Sequence, residues 1–358
     1  MQAIELDWIE PMARDFLYGL SGSLGMQLAA SGALTAPDLN GDIYFDNANV
    51  GVKMTNVKYT INDTINVTPD KIAFNPLRIV DDTNNAATIS GDIGHNGFSD
   101  FSFGLNVRLR DFLLLNNPTQ ADSMIYGRLG LNGTIDVTGT DSNILAKASI
   151  TNSGAGRVYL QLPESARTAQ QYTGITYIDP ADTIPQPVDG VNRIFETSGS
   201  TATALPLRVE LALTLTPQLT AGMVINPAGG DIASVSGTGN IQLIYDMGKD
   251  DISLQGDYTV SKGDAAFSFQ NILKREFQLA QGGRVTFRGD PMDTRFHATA
   301  VYNLRAALAT LDETFTTDPY LSSTRVQVTC LINISGERDR MNITYDIQHP
   351  GVDYRGTR

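Results

Sequence analysis

Between residues 256 and 302, apolar side chains recur at every second position in runs set off by glycines. Tyr258 and Val260, Phe267 and Phe269, Phe277 and Leu279, Val285 and Phe287, and Phe296, Ala298 and Ala300 follow this rule. A period of two puts each set on one face of a β-strand and its polar neighbours on the other. A chain written this way is committed to sheet. A sheet with one apolar face must then close on itself, pack on a second sheet, or leave a groove that something apolar fills.

The same alternation extends through most of the sequence. Leu105, Val107 and Leu109 alternate with Asn106, Arg108 and Arg110, and Val209, Leu211, Leu213 and Leu215 alternate with Glu210, Ala212 and Thr214. Ile241, Leu243 and Tyr245 form another such set. Near the end, Val326, Val328, Cys330, Ile332 and Ile334 mark one strand face, and Met341, Ile343, Tyr345 and Ile347 the next. One-sided alternation favours antiparallel pairing over the continuous apolar runs of buried parallel strands. Glycine-containing sites at Asn40-Gly41-Asp42, Ser90-Gly91-Asp92, Asn96-Gly97, Asn132-Gly133, Gly229-Gly230-Asp231 and Gly289-Asp290-Pro291 read as turns between short strands. About fifteen strands at roughly 4.8 Å each predict an object about 70 Å long.

Three stretches depart from the rule. In residues 9–20, Ile9, Met12, Phe16 and Leu20 fit helical spacing behind Pro11, so a short helix is one reading of the opening segment 1–24. Residues 163–206 are polar and interrupted by Pro and Gly, and read as a long loop, either a disordered excursion or a binding lid. They divide the sheet into a first part, 25–162, and a second, 207–358. Residues 303–310 read either as a helical turn or as continuation of the preceding strand.

The search for chemistry removes function classes. His95, His297 and His349 show no metal-ligand spacing, and Asp38, Asn40 and Asp42 lack the calcium-loop pattern, so neither metal nor cofactor is expected. Gly19-Leu20-Ser21-Gly22 lacks a nucleophile elbow, and Gly237-Thr238-Gly239 lacks the third glycine of a dinucleotide loop. No enzymatic activity is expected. The net charge of −13, with no basic run longer than Lys274-Arg275, argues against nucleic acid as partner and against adsorption on anionic lipid headgroups. Cys330 has no second cysteine to join and reads as a packing residue. The first residues, with Glu5, Asp7, Glu10 and Asp15, lack the basic start and apolar run of a signal peptide, and the opening reads as the middle of a domain.

Several of these runs resemble the C-terminal region of the TamB family, the translocation and assembly module proteins of Gram-negative envelopes. The motifs are G-D-Y-x-V-x-x-G from Gly256, the Phe267 and Phe269 pair, F-x-L-x-x-G-G-x-V-x-F from Phe277, G-D-P-x-D from Gly289, and A-x-Y from Ala300. Gly283 stands where many members carry serine. Upstream, GALTAPDLNGDIYF from Gly32 and IYGRLGLNGTIDVTG from Ile125 resemble the long Bacteroidota-type members.

The resemblance implies an all-β fold, an elongated U-shaped antiparallel sheet called a β-taco, apolar inside and polar outside. It implies a periplasmic segment of an inner-membrane-anchored protein, with the membrane anchor outside this segment. The expected function is to shield phospholipid acyl chains in transport from inner to outer membrane and to assist outer-membrane protein assembly with a TamA-type barrel partner. Groove candidates are Leu211, Leu213, Leu243, Phe267, Phe269, Phe287 and Ile332. An assembly scaffold that docks the barrel by β-augmentation is the alternative, with Val326, Val328, Ile343 and Tyr345 as edge candidates. The residues by themselves leave open whether the apolar face is a groove or an ordinary closed core.

Overall fold

Among the described residues, alternation along the chain becomes one 18-stranded sheet. The computed structural model describes residues 2–8, 10–33, 36–118, 125–161, 206–226, 230–249, 251–269, 273–290, 293–307, 310, 323–337 and 340–348. The first half comprises β1 (Gln2–Glu5), β2 (Leu17–Ala33), β3 (Ala36–Val52), β4 (Val57–Val67), β5 (Lys71–Asp81), β6 (Ala86–Asn96), β7 (Ser99–Asn117), β8 (Ile125–Thr140) and β9 (Asn143–Gln161). The second comprises β10 (Leu207–Leu215), β11 (Leu219–Asn226), β12 (Asp231–Asp246), β13 (Asp251–Phe269), β14 (Leu273–Leu279), β15 (Arg284–Gly289), β16 (Thr294–Ala307), β17 (Arg325–Glu337) and β18 (Arg340–Gln348).

Strands pair in chain order as a meander. Both β10 and β11 pair with β9 on one side and β12 on the other, so together they form one interrupted strand. In the same way β14 and β15 share a place between β13 and β16. The fold is the elongated, taco-like all-β sheet that the alternation and the resemblance lead one to expect.

Individual strands are longer than the glycine punctuation predicts, because several expected turns lie inside strands. Gly41, Gly91 and Gly133 belong to β3, β6 and β8, and Gly256 lies within β13, which runs for 19 residues. Gly256 shows why. Its φ is +130°, and a Cβ built there would fall on the carbonyl oxygen of Asn240 in β12. Glycine here lets the backbone kink while the neighbouring strand closes in, so the residue bends a strand instead of ending it.

The bends recur along the sheet. Register shifts occur between Phe45 and Ala48 in β3, Phe74 and Leu77 in β5, Leu109 and Phe112 in β7, and Ser236 and Gly237 in β12. Each unpaired residue turns its strand and raises the local twist, and a row of them curves the whole sheet. Beyond the ends of β5 and β6, the second half of β7 swings back to β4. The Tyr59 ring stacks on Phe112 at 5.1 Å between centroids, and its hydroxyl donates to the Leu113 carbonyl at 3.1 Å. The Asn116 amide donates to the Thr55 carbonyl at 2.9 Å. Asp81, only 5% exposed, ties this corner together. Its Oδ2 accepts from the Leu113 amide at 2.6 Å, and its Oδ1 from the Thr83 amide, the Thr83 hydroxyl and the Asn85 amide.

Two features differ from the antiparallel expectation and its N-terminal helix. β9 runs parallel to β10 and β11, pairing Ile144 with Leu207 and Gln161 with Val224. Parallel neighbours require the chain to return along the strand before pairing again. The loop expected over 163–206 lies outside the described residues apart from Pro206, as do residues 308 and 309. Of the helix expected in residues 9–20, one turn forms, α1 (Glu10–Ala13), after a 3₁₀ turn at Leu6–Trp8. From Leu17 onward, ladder bonds to β3 override the helical spacing. Residues 303–307 continue β16 as strand.

Candidate functional site

Register, which sequence spacing cannot supply, converts separate alternating runs into one apolar surface. Leu77, Ile89, Val107, Ile135, Ala148, Leu211, Leu243 and Leu254 pair successively from β5 to β13. Two residues along, Ile79, Ala87, Leu109, Gly133, Ile150, Leu213, Ile241, Gly256 and Phe287 make a second row, reaching β15. A third, of Val235, Gly263, Leu279, Ala300, Ile332 and Tyr345, carries the surface from β12 to the last strand. Polar residues such as Asn106, Asp136, Lys147, Glu210 and Gln242 occupy the opposite face.

Five of the seven groove candidates fall on this apolar face. Leu211 and Leu243 are direct cross-strand neighbours, Leu213 and Phe287 share a row, and Ile332 lies in the third. Phe267 and Phe269 occupy the corresponding register positions of β13, opposite Arg275 and Leu273 of β14; their side chains lie outside the described ones. Burial along the face is uneven. A packed cluster of Ala87, Leu109, Phe112 and Leu131 sits at the β4–β7 corner. Leu211, Leu213, Leu243, Phe287 and Ile332 are only partly buried, and among the described residues only Val57 and Val328 of the larger side chains fall below 2% exposure.

At the C-terminal side the cover thins further. β18 pairs with β17, and no second described strand pairs with it. Its apolar-face residues Met341, Ile343, Tyr345 and Ile347 are all exposed, Tyr345 at 74%. Of the four edge candidates, Ile343 and Tyr345 therefore lie on the outermost described strand. Val326 and Val328 lie one strand inward, paired with Ala306 and Leu304 of β16, and Val328 is 1% exposed. Cys330, expected to be buried, is half-buried because its neighbour Ile347 belongs to the bare strand.

Tyr258, on the apolar side of β13, is set by missing side chains opposite. Tyr258 pairs with Gly239, and its ring lies where a Cβ on Gly237 or Gly239 would meet it at 3.0 or 2.9 Å. Its hydroxyl is buried and has no partner among the described residues, and burial raises the phenol above its ordinary pKa. His95 is buried and locally bonded. Its ring stacks on Phe98 at 4.4 Å, and Nδ1 accepts the Phe98 amide at 3.3 Å. His297 is exposed on the polar face, and His349 lies outside the described residues.

No group of His, Cys, Asp and Glu able to hold a metal ion occurs among the described residues, and no described helix is long and apolar enough to cross a membrane. One polar feature had no signal in the sequence. Arg284, Arg295 and Arg340, each next to an apolar residue that faces the other way, come together only through the register of β15 to β18.

Comparison with known families gives one match: the model described as the TamB C-terminal domain covers residues 75–353, most of the chain. No curated protein matches it.

Proposed function

We propose, from the premise that this chain belongs to the TamB family through its C-terminal domain, that its apolar face carries phospholipid acyl chains through the periplasm from inner to outer membrane. The family is one of transport and assembly proteins, anchored in the inner membrane and spanning the periplasm. The observation that carries the reading is the continuity of the apolar rows across β5 to β18, combined with the partial exposure of the side chains that form them.

Continuity and exposure together suit a conduit. Each CH₂ moved out of water contributes about 0.8 kcal/mol, so two acyl chains are held strongly against a wall of Leu, Ile and Val. Successive positions along such a wall are nearly equivalent in energy. The chains are thereby retained but free to slide, and the polar opposite face stays in water. A closed core would bury these residues as it buries Val57 and Val328.

Photocrosslinking from Leu213 and Leu243 tests the conduit. Phospholipid adducts at both positions are expected, and lipid extracted with the purified protein should fall severalfold in a folded Leu213→Glu variant. Capture of protein alone, with unchanged lipid in the variant, rejects it.

A second reading, docking of a TamA-type outer-membrane barrel by β-augmentation, is favoured by β18, whose outer edge has no partner strand among the described residues and whose apolar row is exposed. Removing residues 340–358 should abolish barrel binding if this edge is the contact. Full retention of the barrel by the shortened chain rejects an edge contact there. Both roles are compatible in one molecule.

A further inference from the structure

On the polar face of the last strands, arginines from three strands surround one carboxylate from a fourth. Arg284 of β15 pairs with His297 of β16, Arg295 of β16 with Glu337 of β17, and Glu337 with Arg340 of β18. These five line one depression of about 490 Å³. Arg295 donates from Nε at 3.2 Å and from Nη2 at 2.9 Å to the same oxygen of Glu337, which fixes the plane of its guanidinium. Neither Arg284 nor Arg340 has an ion-pair partner among the described residues.

Three guanidinium groups against one carboxylate leave local positive charge in a chain whose net charge is −13. Like charges on neighbouring strands repel, and water weakens this without removing it. An anion with several oxygens on one centre relieves it, since guanidinium offers planar forked donors that match phosphate.

Position narrows the source of that phosphate. Arg340 and Met341 open β18, so the cationic depression and the bare apolar row of Met341, Ile343, Tyr345 and Ile347 lie on opposite faces of the same strand end. A molecule with phosphate at one end and acyl chains at the other spans that edge. We propose that Arg284, Arg295 and Arg340 bind the phosphate of a phospholipid headgroup whose chains lie along β18. The lipid source rests on the conduit reading, whereas the phosphate chemistry rests on the arginines alone.

The test titrates the 358-residue chain with short-chain phosphatidylglycerol below its micelle concentration, diacylglycerol of the same chain length, and inorganic phosphate. The wild type is compared with an Arg284→Gln/Arg340→Gln variant, with circular dichroism as the check on folding. The wild type should prefer the phospholipid to diacylglycerol about tenfold, an effect of the size expected for lost charge-assisted hydrogen bonds. Inorganic phosphate should compete away that preference, and the variant should lose it while still binding diacylglycerol. If the double variant does not fold, Arg340→Lys keeps the charge but not the fork and should lower the preference partway. Binding of inorganic phosphate that depends on the arginines, with no preference between the two lipids, overturns the lipid source and leaves the anion site. Failure to bind either lipid overturns the conduit reading separately. Equal lipid affinities with no phosphate binding overturn the proposal.

Discussion

The absence of a side chain at Gly256 is a structural requirement that can be tested directly. With φ at +130° and the Asn240 carbonyl where a Cβ would go, Gly256→Ala meets both backbone strain and a clash. A loss of about 2–4 kcal/mol is expected in denaturant unfolding, where an ordinary exposed strand position would tolerate alanine. Two residues on, Tyr258 presents the opposite case. Its hydroxyl is buried with no partner among the described residues, so Tyr258→Phe should be neutral or stabilising by about 1 kcal/mol. The sign of its pH dependence follows from burial. The raised phenol pKa means that the folded state holds the neutral form more tightly than the unfolded chain does. Stability should therefore fall as pH rises above the ordinary tyrosine value of about 10, and this part of the fall should vanish in the Phe variant. Thermal melts at several alkaline pH values measure the difference.

At the scale of elements, the joint between β5, β6 and β7 rests on one carboxylate. Asp81→Ala removes the acceptor of the buried Leu113 amide and of three groups in the following turn. A cost of about 2–4 kcal/mol is expected, with hydrogen exchange at the Leu113 amide accelerating before that of the β12 and β13 amides. Asp81→Asn should recover part of the loss because an amide oxygen still accepts. Nothing in the sequence marks Asp81 for this task, since its partner Leu113 is distant along the chain and becomes its neighbour only through the bend in β7. Alternation did reveal β10, β12, β17 and β18, because each has one apolar and one polar side and side-chain period is a local property. Glycines were ambiguous for a physical reason: Gly256 and Gly97 both need positive φ, but the first kinks a strand against its neighbour and the second lies in a turn. The groove candidates were recoverable as members of a face. That Leu211 touches the row of Leu243, or that Arg284 and Arg340 line one depression, depends on register, which alternation leaves free.

For the whole molecule, the parallel step between β9 and β10 has consequences that reach beyond its own strands. It reverses the meander once, and it makes residues 162–205 a connection of definite minimum length. The end of β9 at Gln161 is level with Val224, whereas β10 begins level with Ile144. At about 3.3 Å per residue the chain must travel back roughly 55 Å along the strands, a distance that about 17 fully extended residues just cover. Replacing residues 162–205 with a 30-residue Gly/Ser linker should preserve the β9–β10 register and the melting transition to within a few degrees. A 10-residue linker cannot reach, and the second half of the sheet should then separate from the first or pair with another copy. Crosslinking between cysteines placed at Ala148 and Leu211, in a Cys330→Ser background, distinguishes these outcomes. An intramolecular bond in the wild-type length and in the 30-residue variant, but not in the 10-residue variant, is expected. An intramolecular bond that survives the 10-residue linker would show that Ala148 and Leu211 meet without the long return, and would overturn the parallel β9–β10 pairing through which the apolar rows cross from one half of the sheet to the other.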